Sequence, residues 1–228
     1  MNLVSLVRDL DKRVSPALTS YVGGERVELT GHVLANWFSK IANLLVDLSD
    51  GDTEAAVTLD LPLHWRSICW TIGTWHASLP LNTSAPVLAV TDQVDTAKIW
   101  VKEDRADSVG LLSLPFHHLT YPHPLPEGTI DIASDMMANA DSLVWAPSPD
   151  EDLPLYEGGP AFTEVTSIAP VPAGRFAISG DLFAVSLYCV RLWAAGGSAV
   201  LLPADMDDQE LERILQIEGA TLGDVHLR

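Results

Sequence analysis

The sequence predicts an α/β protein in which a mainly parallel central sheet is layered between helices. Three observations point there. Short apolar runs of strand type alternate along the chain with stripes at helical spacing, the pattern of a sheet covered by helices. Only one pair of neighbouring extended runs, on either side of Gly23-Gly24, reads as a hairpin. Apolar residues make up 47% and charged residues 19% of the 228, which is enough to pack most of the chain, and one domain over residues 1–228 is expected.

Taken in order, Leu3, Leu6, Val7 and Leu10 recur at helical spacing and predict an amphipathic helix that stops before Ser15-Pro16. Extended runs from about 18 to 22 and from 26 to 29 form the hairpin. Thr30 can cap a helix striped by Val33, Leu34, Trp37, Phe38, Ile41, Leu44, Leu45 and Leu48, which Asp50-Gly51-Asp52 ends. A strand over 55–59 leads through Pro62 to a helix over 63–77. On that helix Trp65, Ile68, Cys69, Ile72 and Trp75 share a face that reads as core. Strands are expected at 87–90, at 98–101 on an edge, and at 109–114. A proline-rich loop then spans 115–128, followed by a helix over 130–140 and a strand over 142–145. Residues 146–174 hold six prolines, three glycines and five acids without a base, and are expected to be a long irregular loop. A strand at 176–178, a helix over 181–195 stopped by Gly196-Gly197, a strand at 199–202 and a helix over 208–217 complete the reading.

Composition limits the partners. With 31 acids against 13 Lys and Arg, the formal net charge is -18, and such a surface repels phosphate backbones and anionic lipids. No nucleic acid and no membrane is expected. Beyond Arg105 the Lys and Arg residues are Arg175, Arg191, Arg213 and Arg228 alone. Cys69 and Cys189 both lie in apolar helical patterns and read as buried thiols rather than a disulfide. The opening MNLVSLVRDLDKR lacks a signal-peptide pattern, and the apolar tract 182–202 carries Arg191 mid-span, so a cytoplasmic protein is expected.

No G-x-x-x-x-G-K-[ST], G-x-G-x-x-G, H-E-x-x-H or G-x-S-x-G motif is present. The metal candidates are His117, His118 and His123, three imidazoles in one loop. No acid or thiol at metal-site spacing accompanies them, and no metal is assigned. His32, His64, His76 and His226 are isolated and expected at the surface or at helix ends.

The order of elements carries the strongest signal. YVGGERVELTGHVLANWFSKIANLL followed by AAVTLDLPLHWRSICWTIGTWHASLPL resembles the opening of the adenylate-forming superfamily, the acyl-CoA synthetases and related AMP-binding ligases. Leu61-Pro62 and Gly73 stand at its Leu-Pro turn and its small helix residue. The tail FAVSLYCVRLWAAGGSAVLLPADMDDQELERILQIEGAT is similar to a later segment of that family, with Glu218 and Thr221 at its Glu-x-x-Thr ending. More narrowly, LLSLPFHHL and LPEGTID resemble a short actinobacterial family distantly related to AMP-binding enzymes, whose activity the resemblance does not supply.

The resemblance implies the fold of the first subdomain of adenylate-forming enzymes. It also implies that the ATP phosphates would meet a Ser/Thr/Gly-rich loop ending in Lys, between the strand near Val144 and the helix near Asp181. Here that segment is PLYEGGPAFTEVTSIAPVPAG, with Gly158 and Gly159, no base, and Glu151, Asp152, Glu157 and Glu164 close by. Like charges about 4 Å apart repel by about 1 kcal/mol even in water. Thr163, Thr166 and Ser167 are the cofactor-binding candidates of a degenerate phosphate loop, and neither ATP nor AMP is expected as a cofactor. The sequence also ends before the family's adenine-binding segment and its C-terminal domain with the catalytic Lys, so no catalytic residue is assigned. The expected function is that of a non-catalytic relative binding an acyl-like ligand or a protein partner at the sheet rim, after the strands near Leu114, Val144 and Ile178. Apolar area that the family's missing part would otherwise cover is expected to be covered by self-association or by the Pro-rich loop. The alternative is an adenylate-forming subunit, or another enzyme, completed by a partner in trans.

Overall fold

The computed structural model describes residues 1–52, 54–83 and 86–225; His226 and Arg228 lie outside them. The elements are α1 (Leu3–Asp11), β1 (Pro16–Ser20), β2 (Val27–Thr30), α2 (Gly31–Leu48), β3 (Ala56–Asp60), α3 (Trp65–His76), β4 (Pro86–Thr91), α4 (Val94–Lys102), β5 (Ser108–Leu111), β6 (Thr129–Asp131), α5 (Ile132–Met137), α6 (Thr163–Thr166), β7 (Arg175–Ile178), α7 (Leu182–Ala194), β8 (Ser198–Leu201), α8 (Asp208–Glu218) and β9 (Thr221–Leu222). The α/β class and its mainly parallel pairing are as the sequence predicts. The strands are divided between two sheets rather than gathered in one. Two compact units result: Met1–Ala35, Pro62–Ile68 and the chain from Glu164 onward; and Asn36–Leu61 with Cys69–Thr163.

The first unit holds the sheet β2-β1-β8-β7-β9, parallel except for the β1–β2 hairpin. The link β7-α7-β8 runs one way along the sheet and β8-α8-β9 runs the other. Right-handed crossovers therefore place α7 and α8 on opposite faces. The side chains agree: Phe176 meets Tyr188 of α7 edge-on at 6.3 Å, while Ala177 and Val200, pointing the other way, pack with Ile214 of α8. Local chemistry sets the helix ends. Asp181 accepts from the Phe183 and Ala184 amides and starts α7, Asp207 does the same for α8 through Glu210, and Gly219 closes α8 in the left-handed region. In α1, Leu3, Leu6, Val7 and Leu10 are all buried, as their spacing requires.

The second unit holds the all-parallel sheet β3-β4-β5-β6. Ala97 of α4 packs with Val109 and Leu111, and Ile132 of α5 stands over Gly110 on the opposite face. Residues 98–101, expected to be a strand, lie in α4. Their apolar run is part of a longer helical stripe, Val94, Ala97 and Val101, that seats on β5. The helix expected over 130–140 is shortened, because Thr129–Asp131 pairs with β5 and Asp131 then caps α5. Residues 142–145 form no strand. The Asn43 side chain takes the place of a ladder there, donating to the Ala140 and Ser142 carbonyls and accepting from the Val144 amide.

The residues from 146 to 162 are irregular but anchored. Leu81 and Tyr156 form a bridge, the Trp75 indole donates to the Leu155 carbonyl at 3.0 Å, and Leu155 and Phe162 are buried. Cys69 and Cys189 are both buried free thiols. His64 and His76, expected at the surface or at helix ends, do stand at the two ends of α3, but they are buried, at 5% and 3% exposed, because α3 is enclosed on every side rather than along one stripe. No helix among the described residues is long and apolar enough to cross a membrane.

Candidate functional site

The hydroxyls assigned to a degenerate phosphate loop fall on and just after the single turn α6. Thr163 and Ser167 are exposed and Thr166 is half-buried. Between them Glu164 takes an ion pair at 2.5 Å from Arg191 of α7. The base that the fold brings to this segment is thus already matched by an acid from the segment itself. Residues 146–174 add no other cation.

The loop histidines do not converge. His117 and His118 stack edge to face at 4.3 Å, His118 Nδ1 lies 2.6 Å from the Ser113 hydroxyl, and His123 packs against Tyr121 instead. Among the described residues no three His, Cys, Asp or Glu side chains are grouped to hold a metal ion. Of the expected rim positions, Ile178 ends β7 in the first unit, while Leu114 and Val144 lie beyond β5 in the second.

The first unit contains a polar cluster that local sequence gave no reason to expect. Glu218, at the end of α8, has a side chain only 4% exposed and accepts four hydrogen bonds. They come from Arg26 Nε at 2.8 Å and Nη2 at 3.3 Å, Arg175 Nη2 at 2.5 Å and the Tyr21 hydroxyl at 2.5 Å. Burial pushes the Glu218 carboxyl up, but the hydrogen bonds from Arg26, Tyr21 and Arg175 outweigh it and hold the group down at about 2. Burial, then the bond to Glu218, raises the Tyr21 phenol; the same carboxylate, with Glu28, raises Arg26. Arg175 also reaches Thr19 and Ser198. A carboxylate so fully engaged is not a general base, which must be free to accept a proton near working pH. It is a counter-ion that joins the hairpin, β7 and α8.

Beside this cluster a groove of about 690 Å³ opens after the carboxyl ends of β1 and β8, the position where parallel α/β sheets take ligands. Pro203, Met206 and Ile217 give it an apolar wall, and Arg213 stands in it only loosely matched to Glu210 at 3.6 Å. Gly23 and Gly24 keep the facing hairpin low, both at positive φ. Behind Gly23 lies the His64 ring, whose Nδ1 accepts from the Arg66 amide at 3.2 Å. Burial, and then the Arg66 charge, lower His64 to about 4 and keep it neutral at pH 7.

No family model matches the chain. A TIGR03089 family protein of Mycobacterium tuberculosis is 28% identical over 231 residues, which is 91% of this chain and 90% of that protein. Among solved structures, a Brucella canis acyl-CoA synthetase superposes with a TM-score of 0.67 at 17% identity, over 97% of this chain and 46% of that one. An amide bond synthetase from Marinactinospora thermotolerans gives 0.64 at 14%, over 96% and 47%. A fatty acyl CoA synthetase of M. tuberculosis gives 0.60 at 13%, over 96% and 48%. The chain spans about half the length of these three solved structures. The likeness read from the sequence is thus found again in three dimensions: this chain has the fold of the first half of acyl-CoA synthetase-like, AMP-binding enzymes, and resembles a TIGR03089 family protein over nearly all of both chains.

Proposed function

We propose that this chain is a non-catalytic relative of AMP-binding ligases that binds an acyl-like ligand or a protein partner. The observation that carries this reading is electrostatic. Where the fold's nucleotide-using members need cations in place to stabilise a polyphosphate, residues 146–174 offer five acids and no base, and Arg191 is paired with Glu164. The groove beside Glu218 suits the acyl-like ligand: apolar on one wall, with one loosely held guanidinium for a polar end. The acidic surface argues against nucleic acid for the same reason as before.

A thermal-shift titration with ATP or AMP and magnesium tests the reading. No saturable rise in melting temperature is expected; a saturable rise would move the chain to the second reading, an adenylate-forming subunit completed in trans. That reading is favoured by one fact, that the chain matches about half of the acyl-CoA synthetase and of the amide bond synthetase.

A further inference from the structure

We propose that the second unit docks a partner segment bearing arginine on Trp145, in the cavity between α2 and residues 138–145. This rests on the partner-binding side of the function proposed above. The cavity is about 390 Å³ and is lined by Asn43, Val46, Asp47, Asn139, Val144 and Trp145. Val144 is 80% and Trp145 58% exposed, an unusual placement for two large apolar side chains in succession.

Their presentation is fixed rather than loose. Lys40 donates to the Met137 and Asn139 carbonyls and pairs with Asp141 at 2.7 Å, and Asn43 holds the Ala140, Ser142 and Val144 backbone. The Trp145 ring rests directly on Gly51, where a Cβ would come within 2.9 Å of it; Gly51 sits at φ +74°, a conformation glycine accepts freely. An aromatic ring held in place in the free protein loses little freedom when it is covered, which is what a binding anchor requires.

The charge around it selects the occupant. Asp47 is the one charged residue lining the cavity, and the turn under the ring is Asp50-Gly51-Asp52, with both acids exposed. The nearby base, Lys40, is engaged with Asp141 and two carbonyls. A guanidinium can stack on the indole face and meet Asp47 at once, whereas an anionic side chain would face only like charge. The wider charge of -18 favours approach of the same kind of partner.

The test uses the full chain and a labelled eight-residue peptide carrying two arginines between leucines, read by fluorescence anisotropy. Its counterpart has both arginines replaced by citrulline, which keeps shape and loses charge. The arginine peptide is expected to saturate, and the citrulline peptide to bind at least about fivefold more weakly. Trp145→Ala should weaken the arginine peptide by at least about fivefold with the melting temperature unchanged, and Asp47→Asn should weaken it less. Smaller losses on Trp145→Ala mean charge-only association with an acidic protein and overturn the proposal, as does no saturable binding of the arginine peptide. Either failure leaves the nucleotide titration, which reads the proposed function, untouched.

Discussion

Glu218→Gln tests the buried ion cluster of the first unit. The substitution keeps the side chain's shape, removes its charge, and puts an amide donor where one of two acceptor oxygens stood. Arg175, with a side chain 20% exposed, then loses its carboxylate partner while its other bonds are to hydroxyls. Removing one member of a buried pair costs about 3–5 kcal/mol. Because Arg26 is 44% exposed and its share is screened by water, the low end, ~3 kcal/mol, is the expected loss. For a chain of this length that corresponds to a fall of about 6–12 °C in melting temperature. The sign with pH is also fixed. Glu218 ionises at about 2 in the folded protein against 4.5 for an ordinary Glu, so the stabilisation is complete above 4.5 and is lost as the pH falls from 4.5 towards 2. Urea unfolding of both proteins at pH 7 and at a series of acidic pH values reads this directly. The gap should be flat above pH 5 and close below 4.5. A gap under ~0.5 kcal/mol at pH 7 would refute the reasoning, since it would place the cluster among solvent-screened surface pairs.

Gly73→Ala reads a second packing argument. Helix propensity alone makes the change stabilising by about 1 kcal/mol, but a Cβ at 73 would stand 2.6 Å from the Ile41 side chain of α2, so a net loss of about 1–3 kcal/mol is expected. A stabilised Gly73→Ala protein in thermal unfolding would contradict the close approach. The buried histidines supply the third. Burial lowers His76 to about 4, and burial with the Arg66 charge does the same to His64, against 6.5 for an ordinary His. The unfolded chain therefore binds more protons between those values. The contribution of each is complete above pH 6.5, and on the order of 3 kcal/mol per histidine is lost as the pH falls towards 4. Proton NMR of the imidazole C2 resonances should show two rings that do not titrate above about pH 5; a full set of midpoints near 6.5 would sink this account.

Much of the fold could be read along the chain, because its long elements carry their own periodicity. The stripes of α1 and α2 are local signals that tertiary structure did not override. Thr30 caps α2 as its residue type suggests, accepting from the Val33 amide. The failures have a common cause. For α3 the apolar face was legible, but Arg66, Ser67, Thr71 and Thr74, which lie outside that face, are buried as well. A helical stripe reports which side is apolar, not whether the opposite side stays in solvent. The edge strands β6 and β9 are three and two residues long and exist through pairing with β5 and β7. Residues 98–101 satisfy strand and helix patterns alike over four positions, and the contact with β5 decides between them. The Glu218 cluster was invisible for a stricter reason: its partners Arg26 and Arg175 stand 192 and 43 residues away, so no local window contains the site.

That cluster also explains how so acidic a chain distributes its few cations. The half-buried bases are directed inward, each within its own unit. Arg13 donates to the Gly197 and Pro16 carbonyls, Arg175 to Glu218, Arg191 to Glu164, and Lys40 to Asp141 and two carbonyls. Burial and the Arg175 charge lower Arg13, which shows how closely two of these bases are set. Each also fastens segments distant in sequence, so redirecting one towards a bound phosphate would release a structural link as well as desolvate an acid. Acids are left in excess on the surface that remains. A polyphosphate would therefore meet repulsion from the excess acids and, at Arg191, the competing Glu164 carboxylate. A neutral acyl chain or a guanidinium meets neither obstacle, and this difference in electrostatic cost is why both proposed occupants are apolar or cationic.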